Sequence, residues 1–156
     1  MQLNSYLMFN GNCEAAFKFY EQCLGGKMTM MMTHKEAPST ENVSPEWQDK
    51  IMHACLELDD RLLMGSDCPP GYFETPQGFY VQISVPQIAE AERLFHALAE
   101  NGKVKMAIAQ TFWSSRFGML IEWNTKKANS SKHEHTHSYK KIKDICTSLR
   151  LIHETL

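Results

Sequence analysis

Apolar and polar residues alternate with a period of two in several short segments of the chain, and this spacing predicts half-buried β-strands. Apolar residues at helical spacing predict two amphipathic helices that each end at a glycine. A tight turn at Asp59 and Asp60 joins two of the strands into a hairpin. The predicted strands lie within residues 3–9, 27–34, 49–58, 61–67, 79–85, 103–110 and 112–123, and the helices within 14–28 and 90–104.

The chain contains an internal duplication at a constant offset of 76 residues. EAAFKFYEQCLGGKM, residues 14–28, aligns without a gap on EAERLFHALAENGKV, residues 90–104, and the flanking strands align at the same offset. Asn12 is a suitable N-cap for the first helix. The first copy reads β-α-β-β-β, whereas the period-2 pattern of the second copy stops at Trp123. The sequence therefore predicts two related modules, the second without its last strand.

Size, charge and cysteine content narrow the class of protein. The 156 residues suit one domain, and 16 Lys and Arg against 18 Asp and Glu give a net charge of -2. This balance argues against nucleic acid and membrane partners, and the absence of a signal-like N-terminus predicts a cytoplasmic protein. The odd number of cysteines, without a C-x-x-C pair, predicts free thiols that fill apolar space: Cys13, Cys23, Cys55, Cys68 and Cys146.

Several motifs in residues 1 to about 121 resemble those of PhnB-like proteins, also labelled 3-demethylubiquinone-9 3-methyltransferase-like, in the vicinal oxygen chelate superfamily of glyoxalases and bleomycin-resistance proteins. These motifs are LNSYLMFNGNCEAAFKFYEQCLGG, THKEAP, KIMHACLEL, LLMGSD, PQGFYVQISV, AEAERLFHALAENGKV and QTFWSSRFGML. The resemblance implies an α+β fold in which paired β-α-β-β-β modules form a curved, mostly antiparallel sheet around a small-molecule pocket. It also implies a homodimer.

The chain departs from this family after residue 121. Members continue with a turn of the type F-G-[IV]-P-W and a final strand, whereas here Glu122 to Thr125 follow and the eighth strand is expected to be missing. A frameshift is one explanation, since one of the possible sets of codons for Glu122 to Thr125, GAA-TGG-AAT-ACC, would encode Asn-Gly-Ile-Pro if read one base later. A missing strand would leave an uncovered sheet edge. Apolar residues at helical spacing in 138–156 predict a C-terminal amphipathic helix that could pack there: Ile142, Ile145, Cys146, Leu149 and Ile152.

These observations divide the chain into three parts. Residues 1–123 form the glyoxalase-like domain, with modules at about 1–70 and 77–123. Residues 124–137 form a flexible linker in which His133, His135 and His137 alternate; a tract of this kind can bind transition metals, although adventitiously. Residues 138–156 form the predicted helix.

Candidates for catalysis and metal binding are few. Metal-dependent members of the superfamily place His, Gln or Glu on the first and last strands of each module. The matching positions here offer residues such as Ser5, Met64 and Tyr80, so no metal ligands and no cofactor are predicted, with a divalent metal kept as an alternative. His53 and Glu57 share a face of one strand, and a histidine beside a carboxylate can act as a general base; a satisfied histidine and a surface acid is the competing interpretation.

A second group of residues could line a ligand pocket. His34 and Gln110 correspond through the repeat and could face each other across a pseudo-twofold axis, or be hydrogen-bonded strand ends. Aromatic residues beside an arginine suit a planar or anionic ligand, although aromatic strand residues also form cores. The predicted pocket residues are Tyr6, His34, Gln110, Trp113, Arg116 and Phe117. For Asp67, a turn before Cys68 is favoured over a ligand contact.

Three functions follow as hypotheses. The first is a small-molecule-binding protein without a catalytic metal. The second is an enzyme of the same superfamily, either a metal-assisted lyase or isomerase or a methyltransferase-like protein. No glycine-rich nucleotide loop follows a strand, so nothing further in the sequence supports methyl transfer. The third is a truncated or frameshifted non-functional copy.

Overall fold

A computed structural model describes residues 3–38, 43–69, 71–74, 76–100, 102–122 and 147–153. The first module runs in the order β1 (Ser5–Phe9), α1 (Cys13–Leu24), β2 (Lys27–Thr33), β3 (Ile51–Leu58) and β4 (Arg61–Asp67). Two short 3₁₀ turns, His34–Glu36 and Pro45–Trp47, lie between β2 and β3. The second module follows as β5 (Val81–Ser84), α2 (Ile88–Ala99), β6 (Gly102–Ala109), β7 (Arg116–Glu122) and β8 (Thr147–His153).

Each module forms a four-stranded sheet with the same topology. The strand orders are β1-β4-β3-β2 and β5-β8-β7-β6. In each sheet the first and last strands of the module pair in parallel, and the other two pairings are antiparallel. The predicted α+β class, with duplicated modules and mostly antiparallel strands, is confirmed.

The prediction of a missing eighth strand and an added C-terminal helix is wrong over residues 147–153. β8 lies between β5 and β7, parallel to the former and antiparallel to the latter. The helical spacing in this segment competes with a period-2 pattern in which Leu149 and Leu151 flank Arg150. The strand wins because β5 and β7 offer backbone groups on both sides, which would otherwise be left without partners. The rest of the predicted helix and the linker 124–137 lie outside the described residues.

Each helix covers one face of its own sheet. Leu7, Phe9 and Leu56 pack with Phe17 and Tyr20 of α1 in the first hydrophobic cluster. Leu94, Phe95 and Leu98 of α2 pack with Leu120 in the second. Phe19, Leu24 and Val81 contact both clusters, so the two cores are continuous through these side chains.

The ends of the helices agree only in part with the sequence. Gly25 follows α1 with φ 77°, a left-handed conformation that glycine adopts without strain. The cap of α2 is instead Glu100, in a right-handed helical conformation. Asn12 stands at the N-cap position of α1 but its side chain makes no capping hydrogen bond. The side chain of Asp67 supplies that bond from the end of β4, by accepting from the Cys13 backbone N–H at 2.9 Å.

Candidate functional site

A cavity of about 460 Å³ lies between the two modules, and we refer to it as the seam cavity. Its apolar wall comes from both modules: Leu7, Leu24, Leu58 and Leu63 from the first, and Val81, Ile83, Val85, Leu94 and Leu98 from the second. Polar and charged side chains also line it: Asn4, Ser5, Gln82, Ser84, Arg61 and the carboxylates of Asp59 and Glu90. An apolar cleft with a few polar groups is the usual form of a small-molecule site.

The fold explains why the cavity lies there. Within the described part of the chain, β1 and β5 each pair with a single neighbour, so they are edge strands of their sheets. Residues from both strands line the cavity, together with the β3–β4 turn and the inner faces of the helices. None of the predicted pocket residues lies in its lining. The internal repeat is the one feature of the sequence that could have indicated the position of this cavity. It predicts two similar modules, and such modules are expected to meet along equivalent elements.

A second region is the face of the first sheet that points away from α1, which we call the open face. Its side chains are Tyr6, Met8, Met30, Met32, His53, Cys55, Met64 and Ser66, which alternate along their strands with residues of the first hydrophobic cluster. Period-2 geometry places such alternating residues on the opposite face of a sheet. Tyr6 and Met30 are 44% and 48% exposed, so the face is open to solvent at these side chains, whereas Cys55 and Ser66 are buried beneath their neighbours at 8% and 7% exposed.

Tyr6 and His53 are joined on the open face. The Tyr6 hydroxyl and His53 Nδ1 lie 3.2 Å apart, and the two rings stack at 5.8 Å between centroids. Glu57 is on the same face of β3, but four residues of strand separate it from His53 by about 13 Å. The structure therefore joins the predicted base to a tyrosine and keeps it beyond hydrogen-bonding distance of the predicted carboxylate.

The repeat-related pair His34 and Gln110 occupies equivalent strand ends. His34 directly follows β2, and its backbone N–H donates to the Lys50 carbonyl at 2.9 Å. Gln110 directly follows β6 and is exposed. The Nε2 atom of His34 is buried and has no hydrogen-bond partner in the described part of the chain. The correspondence of the two strand ends is confirmed, whereas a shared pocket stays a prediction.

The aromatic segment before β7 is partly core and partly surface. Phe117 is buried and Trp113 is half exposed, with their rings 5.7 Å apart in an edge-to-face arrangement. The Arg116 guanidinium is engaged by α2, since its Nε donates to Glu92 Oε1 at 2.6 Å. Arg116 therefore anchors α2 to β7, and an anionic ligand would have to compete with Glu92 for it.

Asp67 is a buried structural carboxylate. Its two oxygens accept from the backbone N–H groups of Cys13 at 2.9 Å and Ile51 at 2.8 Å, so it ties α1 and β3 to the end of β4. Burial raises the pKa of the Asp67 carboxyl, and these bonds together with the Lys50 charge oppose that rise. Burial, followed by the Asp67 charge, also raises the pKa of the Cys13 thiol. The sequence predicted that Asp67 forms a turn before Cys68. In the structure its side chain instead links β4 to α1 and β3.

The divalent metal site of the superfamily does not fit these residues. At the positions of β1 and β4 that face each other in the sheet, the pairs are Ser5 with Leu63 and Tyr6 with Met64. In the first module, the His, Gln or Glu donors expected from the resemblance are therefore replaced by hydroxyl, aliphatic and thioether groups. Within the described residues, no three His, Cys, Asp or Glu side chains come together as a metal site requires. We derive no chemistry through such an ion.

Two relatives resemble the chain over most of its length. Protein YjdN of Escherichia coli strain K12 is 33% identical over 130 residues, which span 78% of this chain and 88% of that protein. The crystal structure of protein PA1353 from Pseudomonas aeruginosa is 35% identical, with a TM-score of 0.79 over 99% of this chain and 98% of the other. A family model described as 3-demethylubiquinone-9 3-methyltransferase matches residues 1–124.

A third solved structure is similar in fold. The PhnB protein from Bacillus cereus has a TM-score of 0.69 at 20% identity, with 98% of this chain and 99% of the other covered. The described residues also contain no helix long and apolar enough to cross a membrane.

Proposed function

This chain belongs to the PhnB-like, or 3-demethylubiquinone-9 3-methyltransferase-like, family of the vicinal oxygen chelate superfamily, and from that premise we propose that it binds a small organic molecule in the seam cavity. The observation that carries the proposal is the cavity itself. Its volume of about 460 Å³ falls in the range of small-molecule sites, roughly 300–1,000 Å³. Both modules contribute to its wall, so a bound molecule would hold them together.

The lining indicates the chemistry of the ligand. Apolar side chains from β1, β5 and α2 favour a molecule with an apolar body. Arg61, Asn4 and the carboxylates of Asp59 and Glu90 also line the cavity. Glu90 is paired with Arg93 at 2.6 Å, whereas the contact of the exposed Arg61 with Asp60 is long, at 3.4 Å. The Arg61 guanidinium is therefore available to an acidic group, to which it could donate two hydrogen bonds. An apolar compound that carries one anionic group combines both features.

A fluorescent probe of this chemistry tests the proposal. 1-Anilinonaphthalene-8-sulfonate has an aromatic body and one sulfonate, and its fluorescence rises in an apolar site. We expect saturable binding of one probe per chain. Ser5→Trp places a large side chain in the cavity from an exposed edge-strand position and should weaken binding at least tenfold. Arg61→Gln should weaken it several-fold, with a smaller effect at high salt, because an exposed ion pair is screened.

Lys105→Trp is the matched control. Lys105 is exposed on β6, an edge strand of the second sheet, and it does not line the cavity. This variant should bind the probe as the natural chain does, with thermal unfolding showing that all three variants remain folded. Equal binding by Ser5→Trp and Lys105→Trp would place the probe elsewhere and refute the proposal.

We further propose that the chain is a homodimer. Phe112 is 96% exposed, and its ring contacts that of Trp113, which is 49% exposed, with centroids 4.4 Å apart. An exposed aromatic pair of this size is typical of a protein interface. Analytical ultracentrifugation of the full chain should give twice the monomer mass, and Phe112→Ser with Trp113→Ser should shift it to the monomer. A monomeric natural chain at micromolar concentration would contradict this part.

A further inference from the structure

The open face of the first sheet concentrates soft donor atoms. Besides His53 it carries the thiol of Cys55 and the thioethers of four methionines, Met8, Met30, Met32 and Met64. Thioether and thiolate sulfur select soft metal ions, above all Cu(I), whereas the hard divalent ions prefer oxygen. The open face therefore differs in kind from the metal site of the superfamily, which these residues do not fit.

A β-bulge brings four of these donors together. The pairing of β2 with β3 shifts between Met28 and Met30, so that Met28 pairs with Leu56 but Met30 with Cys55. The shift places Met30 and Met32, rather than Met31, on the face of Cys55 and His53. Met31 correspondingly packs on the first hydrophobic cluster. Bulges of this kind re-aim side chains and are frequent beside functional sites.

The four donors occupy the corners of a small rectangle. Met30 lies directly opposite Cys55, and Met32 directly opposite His53. Cross-strand neighbours have Cβ atoms about 5 Å apart, and residues two apart along a strand are separated by about 7 Å. Methionine side chains are long and flexible enough to reach a common point above the centre of this rectangle. The face thus offers one nitrogen and three sulfur atoms to a single ion.

Tyr6 orients the imidazole. Its hydroxyl lies 3.2 Å from His53 Nδ1, and its ring stacks on the imidazole. When Nδ1–H donates to the hydroxyl oxygen, Nε2 carries the free lone pair that a metal requires. Hydrogen-bond partners of this type fix the tautomer and the ring orientation of metal-binding histidines.

We propose that Met30, Met32, His53 and Cys55 bind one Cu(I) ion on the open face. Binding replaces the proton of the Cys55 thiol, which is released to solvent, and involves no change in oxidation state. An ion can approach from the solvent side at Met30, which is 48% exposed, and the flexible methionines then carry it to Cys55, which is 8% exposed. This site is independent of the seam cavity, whose lining contains none of the four residues.

The second module provides an internal comparison. There Met106 lies opposite Met119, at the positions that correspond to Met30 and Cys55, and Phe117 takes the position of His53. At these positions the second sheet therefore has two thioethers but neither the thiol nor the imidazole. A site that needs those two groups should exist in the first module alone, which makes Met106→Leu a matched control.

Competition with bicinchoninate under anaerobic conditions tests the site. The full chain carries His133→Ala, His135→Ala, His137→Ala and Cys146→Ser as a background, so that the histidine tract and a further thiol cannot bind the ion. We expect one Cu(I) per chain. Cys55→Ser and the double variant Met30→Leu with Met32→Leu should each raise the dissociation constant at least tenfold, and His53→Gln several-fold. Met106→Leu should leave it within about twofold.

Copper X-ray absorption provides a second readout, with sulfur and nitrogen scatterers expected in the background chain and fewer sulfur atoms in the methionine double variant. Because Met to Leu conserves volume, this variant tests the site even if Cys55→Ser fails to fold. Absence of stoichiometric binding in the background chain would overturn the proposal, as would equal affinity in the Met30/Met32 and Met106 variants. The probe-binding experiment at the seam cavity is unaffected by either result, so the two proposals fail separately.

Discussion

At the scale of single residues, the buried side chain of Asp67 connects elements that are far apart in the sequence. Its carboxylate accepts backbone N–H groups from the start of α1 and the start of β3, at 2.9 and 2.8 Å. A carboxylate near a helix N-terminus also interacts favourably with the helix dipole. Both oxygens must act as acceptors for this arrangement to work.

We predict that Asp67→Asn destabilises the protein by about 1–3 kcal/mol, because the amide NH₂ would face a backbone N–H and leave it unsatisfied in a buried position. Urea unfolding measures the change. Asp60→Asn is the control, since Asp60 is exposed and its contact with Arg61 is 3.4 Å long. The control should stay within about 0.5 kcal/mol of the natural chain. Equal stability of the two variants would show that Asp67 does not link these elements.

The sequence predicted the contacts of single side chains less well than it predicted the helices and strands. Period-2 spacing places Tyr6 and His53 within strands, yet their contact depends on the parallel pairing of β1 with β4 and the further pairing with β3. Arg116 could have turned either to a ligand or to a carboxylate, and only the packing of α2 on β7 brings Glu92 to it. Such contacts connect residues far apart in sequence, for which local patterns carry no information.

At the scale of elements, the prediction succeeded wherever apolar spacing had one interpretation. The duplicated strand and helix patterns gave β1 to β7 and both helices within a few residues of their observed bounds. It failed at β8, because residues 147–153 fit both helical and period-2 spacing. Tertiary context resolves such conflicts, and here the context was the open position between β5 and β7. The uncovered edge that supported the hypothesis of a non-functional copy is filled by this strand.

The central position of β8 makes its backbone a sensitive point. The Cα position of Leu151 pairs with Ile83 of β5 on one side and Gly118 of β7 on the other. Leu151→Pro removes an N–H from the interior of the sheet and should destabilise the protein by about 3 kcal/mol or more, because proline is tolerated only at sheet edges. Leu151→Val, which keeps the N–H, should cost less than about 1.5 kcal/mol. Thermal unfolding compares the two; similar melting temperatures would argue against β8 as a central strand.

At the scale of the whole molecule, the duplication has a consequence that neither module shows alone. Two modules of this topology leave β1 and β5 as edge strands, and the space between them becomes the seam cavity. The sequence predicted a pocket from the family resemblance but placed it among other residues. The wall of the cavity depends on how two separately predicted units pack together, which helical and strand periodicity cannot specify.

The shared side chains at the seam predict that both modules unfold together. Phe19, Leu24 and Val81 contact both hydrophobic clusters, and Arg93 of α2 donates to the Cys23 carbonyl of α1 at 3.0 Å. Loss of either module would expose apolar surface of the other, so an intermediate with one folded module should not accumulate. Urea unfolding should therefore be one cooperative transition.

Single-tryptophan variants measure this coupling directly. Trp47 reports on the first module and Trp113 on the second, with Trp123→Phe in both variants and the other reporter also changed to Phe. For each variant, tryptophan fluorescence and circular dichroism should give the same midpoint of urea unfolding. Phe19→Ala in either background should lower that midpoint for both reporters, because this side chain belongs to both clusters. A shift seen by the Trp47 reporter alone would mean that the modules are stabilised separately and that the seam is an interface rather than a continuous core.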